Sequence, residues 1–156
     1  MADFQLRLRY PEDEAFLLQL YASTRIEELR FFPLTEEQKP AFIALQYRAR
    51  EQSYRQNYIA AVDQVILVNG SPVGRFLVQR DAELGLVDIA LLPEYRGQGI
   101  GSALIGQLAA EGQRLNRRVW LHVAADNERA KQFYSRLGFR QYAEVGMYVM
   151  MERLPE

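Results

Sequence analysis

One stretch limits the folds open to this chain more than any other: "LGLVDIALLPEYRGQGIGSALIGQLAAEGQ", residues 84–113. Residues 84–92 are almost all apolar, as in a strand covered on both faces. Residues 101–115 are mostly strong helix formers. Between them lie glycines at positions 97, 99 and 101. Glycine costs backbone entropy, so a loop that concentrates it has a use for the freedom. The first N–H groups of a helix lack internal acceptors, and the helix dipole adds positive character there. Strand, glycine turn and helix therefore make an anion site by construction.

The loop fails the two commonest phosphate patterns. A P-loop needs G-x-x-x-x-G-K-S/T, and no lysine follows here. A dinucleotide fingerprint needs G-x-G-x-x-G, and the third glycine comes one residue early. That fold also wants β-α-β order from the start. This chain opens with residues 4–10 alternating as a half-buried strand. Pro11 then starts a helix with Glu12, Asp13 and Glu14 in its first turn. Thr35 and Gln38 suit a capping box, while Pro40 moves the expected start of the second helix to itself. That helix runs to Asn57 with Phe42, Leu45 and Ala49 as its apolar stripe. Residues 64–68 and 72–80 flank Asn69-Gly70 as a hairpin. Residues 118–124 form a further strand, and residues 127–137 form a helix closed by Gly138. Residues 141–154 supply one or two last strands. The order β-α-α-β-β-β-α-β-α-β-β predicts an α/β fold around a mixed sheet, as one domain over residues 1–156.

Composition narrows the chemistry. The chain has no cysteine, which excludes a thiol nucleophile, disulfides and cysteine-held metals. Its only histidine, His122, excludes a multi-histidine metal site, so no metal is expected. Nineteen basic against twenty acidic residues provide no basic face for nucleic acid. No apolar run approaches the ~20 residues of a membrane helix, and the opening residues do not read as a signal peptide. The expected location is cytoplasmic.

What remains at the loop is Arg96, Gly99 and Gly101 in "RGQGIG". This resembles the R/Q-x-x-G-x-G/A signature of the GNAT superfamily of N-acetyltransferases. A second segment, "NERAKQFYSRLGF" at residues 127–139, is similar to another GNAT signature through Asn127, Ala130, Tyr134, Gly138 and Phe139. One helix and one strand separate the two, as in that family. The resemblance implies the GNAT fold and acetyl-CoA as cosubstrate. It implies that the main-chain amides of Gln98, Gly99, Ile100, Gly101 and Ser102 hold the pyrophosphate, with Arg96 and Gly97 completing the loop. It also implies that the strand edge at Leu91 and Leu92 pairs with the pantetheine arm, in a gap where the strand splays from its neighbour. Pro93 removes a ladder donor where pairing must end. By the same resemblance Asn127 binds the arm and Tyr134 protonates the departing thiolate.

Asn127 and Tyr134 are seven apart and share a helix face. A phenol near ~10 donating to a thiolate near ~8.5 goes uphill by about 2 kcal/mol, which a catalytic step tolerates. Without cysteine no Cys-bound acetyl-enzyme forms, so a primary amine attacks directly in a ternary complex. A backbone N–H near Leu91 meets the oxyanion. Asp88, on the strand leading to the loop, is a candidate base acting through water. His122 is naturally tuned to neutral pH, but on its apolar strand it reads as a structural histidine. The acceptor, a small molecule or a protein amine, would meet Phe31, Phe32, Tyr47, Tyr54 and Tyr58, with Glu27, Glu28 and Arg30 nearby. Those residues suit a core and a solvated face equally well. The alternative to an enzyme is a GNAT-like module that binds acyl-CoA without transfer. Pairing as a homodimer is a further expectation from the resemblance.

Overall fold

The computed structural model describes residues 3–156. Along the chain run β1 (Gln5–Leu8), α1 (Glu14–Arg25), α2 (Gln38–Asn57), β2 (Val62–Val68), β3 (Ser71–Arg80) and β4 (Leu84–Leu91). They are followed by α3 (Ile100–Leu115), β5 (Val119–Ala124), α4 (Glu128–Arg136), β6 (Arg140–Val145) and β7 (Tyr148–Arg153). This is the predicted order, with two C-terminal strands. The sheet order is β1-β2-β3-β4-β5-β7-β6. Every neighbouring pair is antiparallel except β4 with β5. One core joins the sheet to α3 through Ile100, Leu104, Ile105 and Leu108 and to α4 through Tyr134; the other joins it to α1 and α2 through Leu17, Leu20, Ile43 and Tyr47. Among the described residues no helix is long and apolar enough to cross a membrane.

Local chemistry explains the joints. Asn69 and Gly70, with φ of 51° and 79°, give the left-handed turn that links β2 to β3. Thr35 Oγ1 accepts from Gln38 N–H (3.1 Å) while Gln38 Oε1 accepts from Thr35 N–H (3.0 Å), so the capping box forms. It starts α2 at Gln38 rather than Pro40, and Pro40 falls in the first turn, where its missing N–H costs little. The expected stripe of α2 is corrected. Its buried residues are Ile43, Tyr47 and Glu51, and Leu45 is 63% exposed. The i, i+4, i+8 row wins because it carries an ion pair into the sheet, which an apolarity count does not detect.

Gly85 lies against the ring of Trp120, and a Cβ there would sit 2.2 Å from it. Gly85→Ala should therefore cost about 1–3 kcal/mol of stability by overpacking. A thermal melt checks it; an unchanged Tm would mean that the ring moves aside freely.

Candidate active site

β4 pairs with β5 only at Leu84↔Val119, Gly85↔Trp120 and Leu86↔Leu121. Beyond these residues the strands part, although β4 continues to Leu91 and β5 to Ala124. The cause lies in the register with β3. Val78 pairs with Leu86 and Leu77 with Asp88, leaving Val87 unmatched as a bulge. A bulge bends its strand and increases the local twist. The result is a gap between two parallel strands, as the splay reading anticipates.

On its other edge β4 stays bonded to β3 through Leu91, and Leu92 N–H donates to Val73 O at 2.8 Å. Main-chain groups alternate between edges of an antiparallel strand, so Leu91 N–H turns toward the gap. The expectation for Leu91 and Leu92 thus divides. Leu91 presents a main-chain donor to the gap, whereas the N–H of Leu92 is engaged by β3 and its side chain packs on the α1/α2 core. Pairing stops at Pro93, which opens a 3-10 turn over Pro93–Tyr95. Arg96 is exposed, but its Nε donates to Leu91 O at 2.9 Å, so it pins the loop to the strand.

Gly97 and Gly99 hold φ of 74° and 87°, a region in which side chains are strained. Gly99 caps α3. The first α3 bond outside the regular ladder runs from Ala103 N–H to Gly99 O at 3.0 Å. The N–H groups of residues 97–102 have no acceptor among the described residues. Ile100 anchors this row by burying its side chain completely. Gly101 is different, because a Cβ there would meet only Phe133, at an ordinary 3.9 Å. Among the described residues nothing requires glycine at 101, whereas close approach from outside would. Gln98 folds back to donate to Glu94 O, and Ser102 is exposed on the first turn. A small, rigid, donor-rich cradle of this kind fits a diphosphate.

Asn127 caps α4 by accepting from Ala130 N–H through Oδ1 (3.1 Å), which engages its oxygen and leaves its amide donors. At the other end of α4, Phe139 N–H donates to Tyr134 O (3.1 Å) and Gly138 N–H to Ser135 O (3.1 Å), with Gly138 at φ 91°. This is a Schellman closure, and it fixes Tyr134 itself. The Tyr134 ring is buried edge-on between Phe133 (5.2 Å) and Phe139 (5.8 Å). Burial, and then the charge of Asp88, pushes the Tyr134 hydroxyl up to about 12. The hydroxyl makes no hydrogen bond to any described residue.

Asp88 faces the α1/α2 side of β4. Arg50 Nη2 donates to its Oδ2 at 3.2 Å, and Arg75 Nη1 lies 3.8 Å from the same oxygen. Burial pushes the Asp88 carboxyl up against the opposing pull of Arg50 and Arg75. Behind it lies a charge network that sequence reasoning missed. Arg75 is 2% exposed and Glu51 3%. Arg75 donates to both oxygens of Glu51 (2.7 and 3.0 Å) and both of Asp63 (3.0 and 2.7 Å). Arg9 joins Glu51 at 2.8 Å and Asp63 at 3.2 Å. Burial alone would raise the Glu51 carboxyl, but the Arg75 and Arg9 guanidinium groups outweigh it and hold it below the usual range. The available signal was Arg75 amid the apolar residues of β3, since a buried cation demands a buried anion.

Two other expectations change. His122 is exposed rather than a core histidine. It stacks on Trp120 (5.4 Å), and partial desolvation lowers its pKa. Of the acceptor aromatics, Tyr47 is buried, with its hydroxyl on Glu14 (3.2 Å), and Phe31 is 89% exposed. Tyr54 and Tyr58 line a cleft of about 500 Å³ over Arg75. Trp120, which continues that row by packing on Tyr58 (6.1 Å), carried no sequence expectation.

The fold of this mixed sheet and its four helices is similar to that of solved acetyltransferases of the GNAT family. The chain belongs to the acetyltransferase (GNAT) family, whose model matches residues 18–139. Over 97 residues it is 34% identical to an uncharacterized N-acetyltransferase of Methanocaldococcus jannaschii, covering 56% of this chain and 43% of that one. Over 93 residues it is 32% identical to N-alpha-acetyltransferase 30 of Schizosaccharomyces pombe, covering 55% and 62% respectively. The matched region is thus about half the length of these relatives. In structure it resembles the PaiA N-acetyltransferase of Thermoplasma acidophilum in complex with coenzyme A, with a TM-score of 0.73 at 18% identity over 97% of this chain and 99% of that one. It also resembles the spermidine N-acetyltransferase of Vibrio cholerae in complex with CoA and spermine, with a TM-score of 0.64 at 19% identity over 97% and 95%.

Proposed function

We propose that this protein transfers an acetyl group from acetyl-CoA to a primary amine by direct attack in a ternary complex. The observation that carries this reading is the row of unengaged N–H groups at residues 97–102, at the end of β4 where the gap opens. The row suits a diphosphate, and the gap with Leu91 N–H suits an extended amide-bearing arm that pairs like another strand. The fold neighbours crystallised with CoA support the same donor.

In the reaction the amine nitrogen bonds to the acetyl carbon and the carbon–sulfur bond breaks. Nitrogen loses one proton and sulfur gains one. Tyr134 supplies the proton to sulfur, and Leu91 N–H steadies the oxyanion. Asp88 receives the proton that an ammonium must shed before its nitrogen attacks, a task toward which its raised pKa brings it, and the proton nitrogen loses on transfer passes through solvent to restore Tyr134.

An acceptor-dependent thiol-release assay with acetyl-CoA and a panel of primary amines tests the reading. Binding of CoA without release for any amine would reject it in favour of a non-catalytic module. Gly99→Asp should weaken CoA binding about 100-fold, because it adds a side chain at φ 87° and a charge facing the diphosphate. Calorimetry measures it, and unchanged affinity would remove the loop from the site.

A further inference from the structure

The gap defines the donor side, and a second cavity on the α1/α2 face of β4 narrows the acceptor. Arg50, Asp88, Tyr21, Thr24 and Arg75 line a space of about 190 Å³ that reaches the chain at Ile89 and Ala90. Sites for drug-sized ligands begin at about 300 Å³, so this space takes only a small molecule. Arg75 has its donors bound by Glu51 and Asp63. Arg50 does not. Its Nη2 meets Asp88 and its Nη1 makes no hydrogen bond to any described residue, while its Nε is buried with no partner among the described residues. Its guanidinium lies 4.4 Å from the Tyr21 ring centroid and 5.2 Å from that of Tyr54, contacts that set its plane. Among the described residues only Oδ2 of Asp88 is engaged. A guanidinium with unused donors thus adjoins a carboxylate with an unused oxygen in one small cavity. Their counterpart is a ligand with an ammonium and a carboxylate a few atoms apart.

We propose, resting on the acetyl-transfer reading above, that the acceptor is a free α-amino acid or an equally compact zwitterion, with Arg50 binding its carboxylate and Asp88 its ammonium. The Arg50–Asp88 pair parts to admit it, and each ion exchanges one partner for another, so no unpaired charge is buried. Ile89, the residue after Asp88, turns its main chain to the gap, which sets the bound amine beside the transfer point. A peptide N-terminus leaves Arg50 unanswered, and a polyamine sets a second cation against it; both lose affinity for that reason.

The test compares free L-α-amino acids with the monoamines left by their decarboxylation, with a short peptide amide and with spermidine, in the thiol-release assay. For the wild type, kcat/KM of the best amino acid should exceed that of its decarboxylated amine by about 10- to 100-fold, mostly through KM. Arg50→Gln should collapse that preference to within about threefold, and Arg50→Lys, which keeps the charge but not the fork, should fall between. Circular dichroism and CoA calorimetry show whether the variants are folded; if they are not, the preference of the wild type decides alone. A wild type that favours spermidine, the peptide or the decarboxylated amines overturns the zwitterion assignment and leaves acetyl transfer standing. Absence of CoA binding and of release with every amine overturns both.

Discussion

Tyr134→Phe should lower kcat by about 10²- to 10⁴-fold and leave the Kd for CoA within about twofold. The ring stays, with its edge contacts to Phe133 and Phe139 and its Schellman closure, because none of these involves the hydroxyl. Only the proton donor is lost. The structure sharpens the energetics. With the hydroxyl pushed up to about 12, donation to a free thiolate near ~8.5 is uphill by roughly 5 kcal/mol, more than an unperturbed phenol requires. The same dry surroundings raise the pKa of a thiol placed in the gap, which shrinks the mismatch. The raised pKa also keeps the phenol protonated as pH rises, so between about pH 6 and 9 Tyr134 contributes no alkaline decline in kcat. Steady-state rates with calorimetric Kd values check both statements, and a variant as fast as the wild type would end the role of Tyr134 as acid.

Glu51→Ala should cost about 3–5 kcal/mol of folding stability, measured by urea denaturation. Glu51 is 3% exposed and takes two bonds from Arg75 and one from Arg9. Its removal leaves the almost fully buried Arg75 with Asp63 as its close partner. The pH dependence follows from the sign of the shift. Glu51 is held below the ordinary carboxyl range, so its contribution is present above about pH 4.3 and is lost as pH falls through the depressed folded value. Replacing both ions, as Glu51→Met with Arg75→Met, should restore much of the loss, because burial then costs no desolvation. A double variant no more stable than Glu51→Ala would show that the pair is needed for packing rather than for charge balance.

The glycine loop, the hairpin turn and the closure around Tyr134 were legible in the sequence because each is local. Gly97 and Gly99 meet their positive φ within the loop that names them, and Gly138 closes the turn holding Tyr134. The capping box of Thr35 and Gln38 was legible for the same reason, although Pro40 obscured where it begins. The acceptor side was not legible. Phe31, Phe32 and Tyr47 share an aromatic character that says nothing of direction, and Tyr47 points into the core while Phe31 points to solvent.

The sequence by itself determined the order of elements, the donor-rich loop and the position of Tyr134, since a few adjacent residues dictate each. Only the tertiary structure decided that β4 parts from β5 after Leu86, that Leu91 rather than Leu92 turns its N–H to the gap, and that Arg50 stands unsatisfied beside Asp88. The physical reason is common to all three. Strand register and the pairing of buried charges join residues far apart in the chain, and no local pattern records which edge or which counter-ion each will meet.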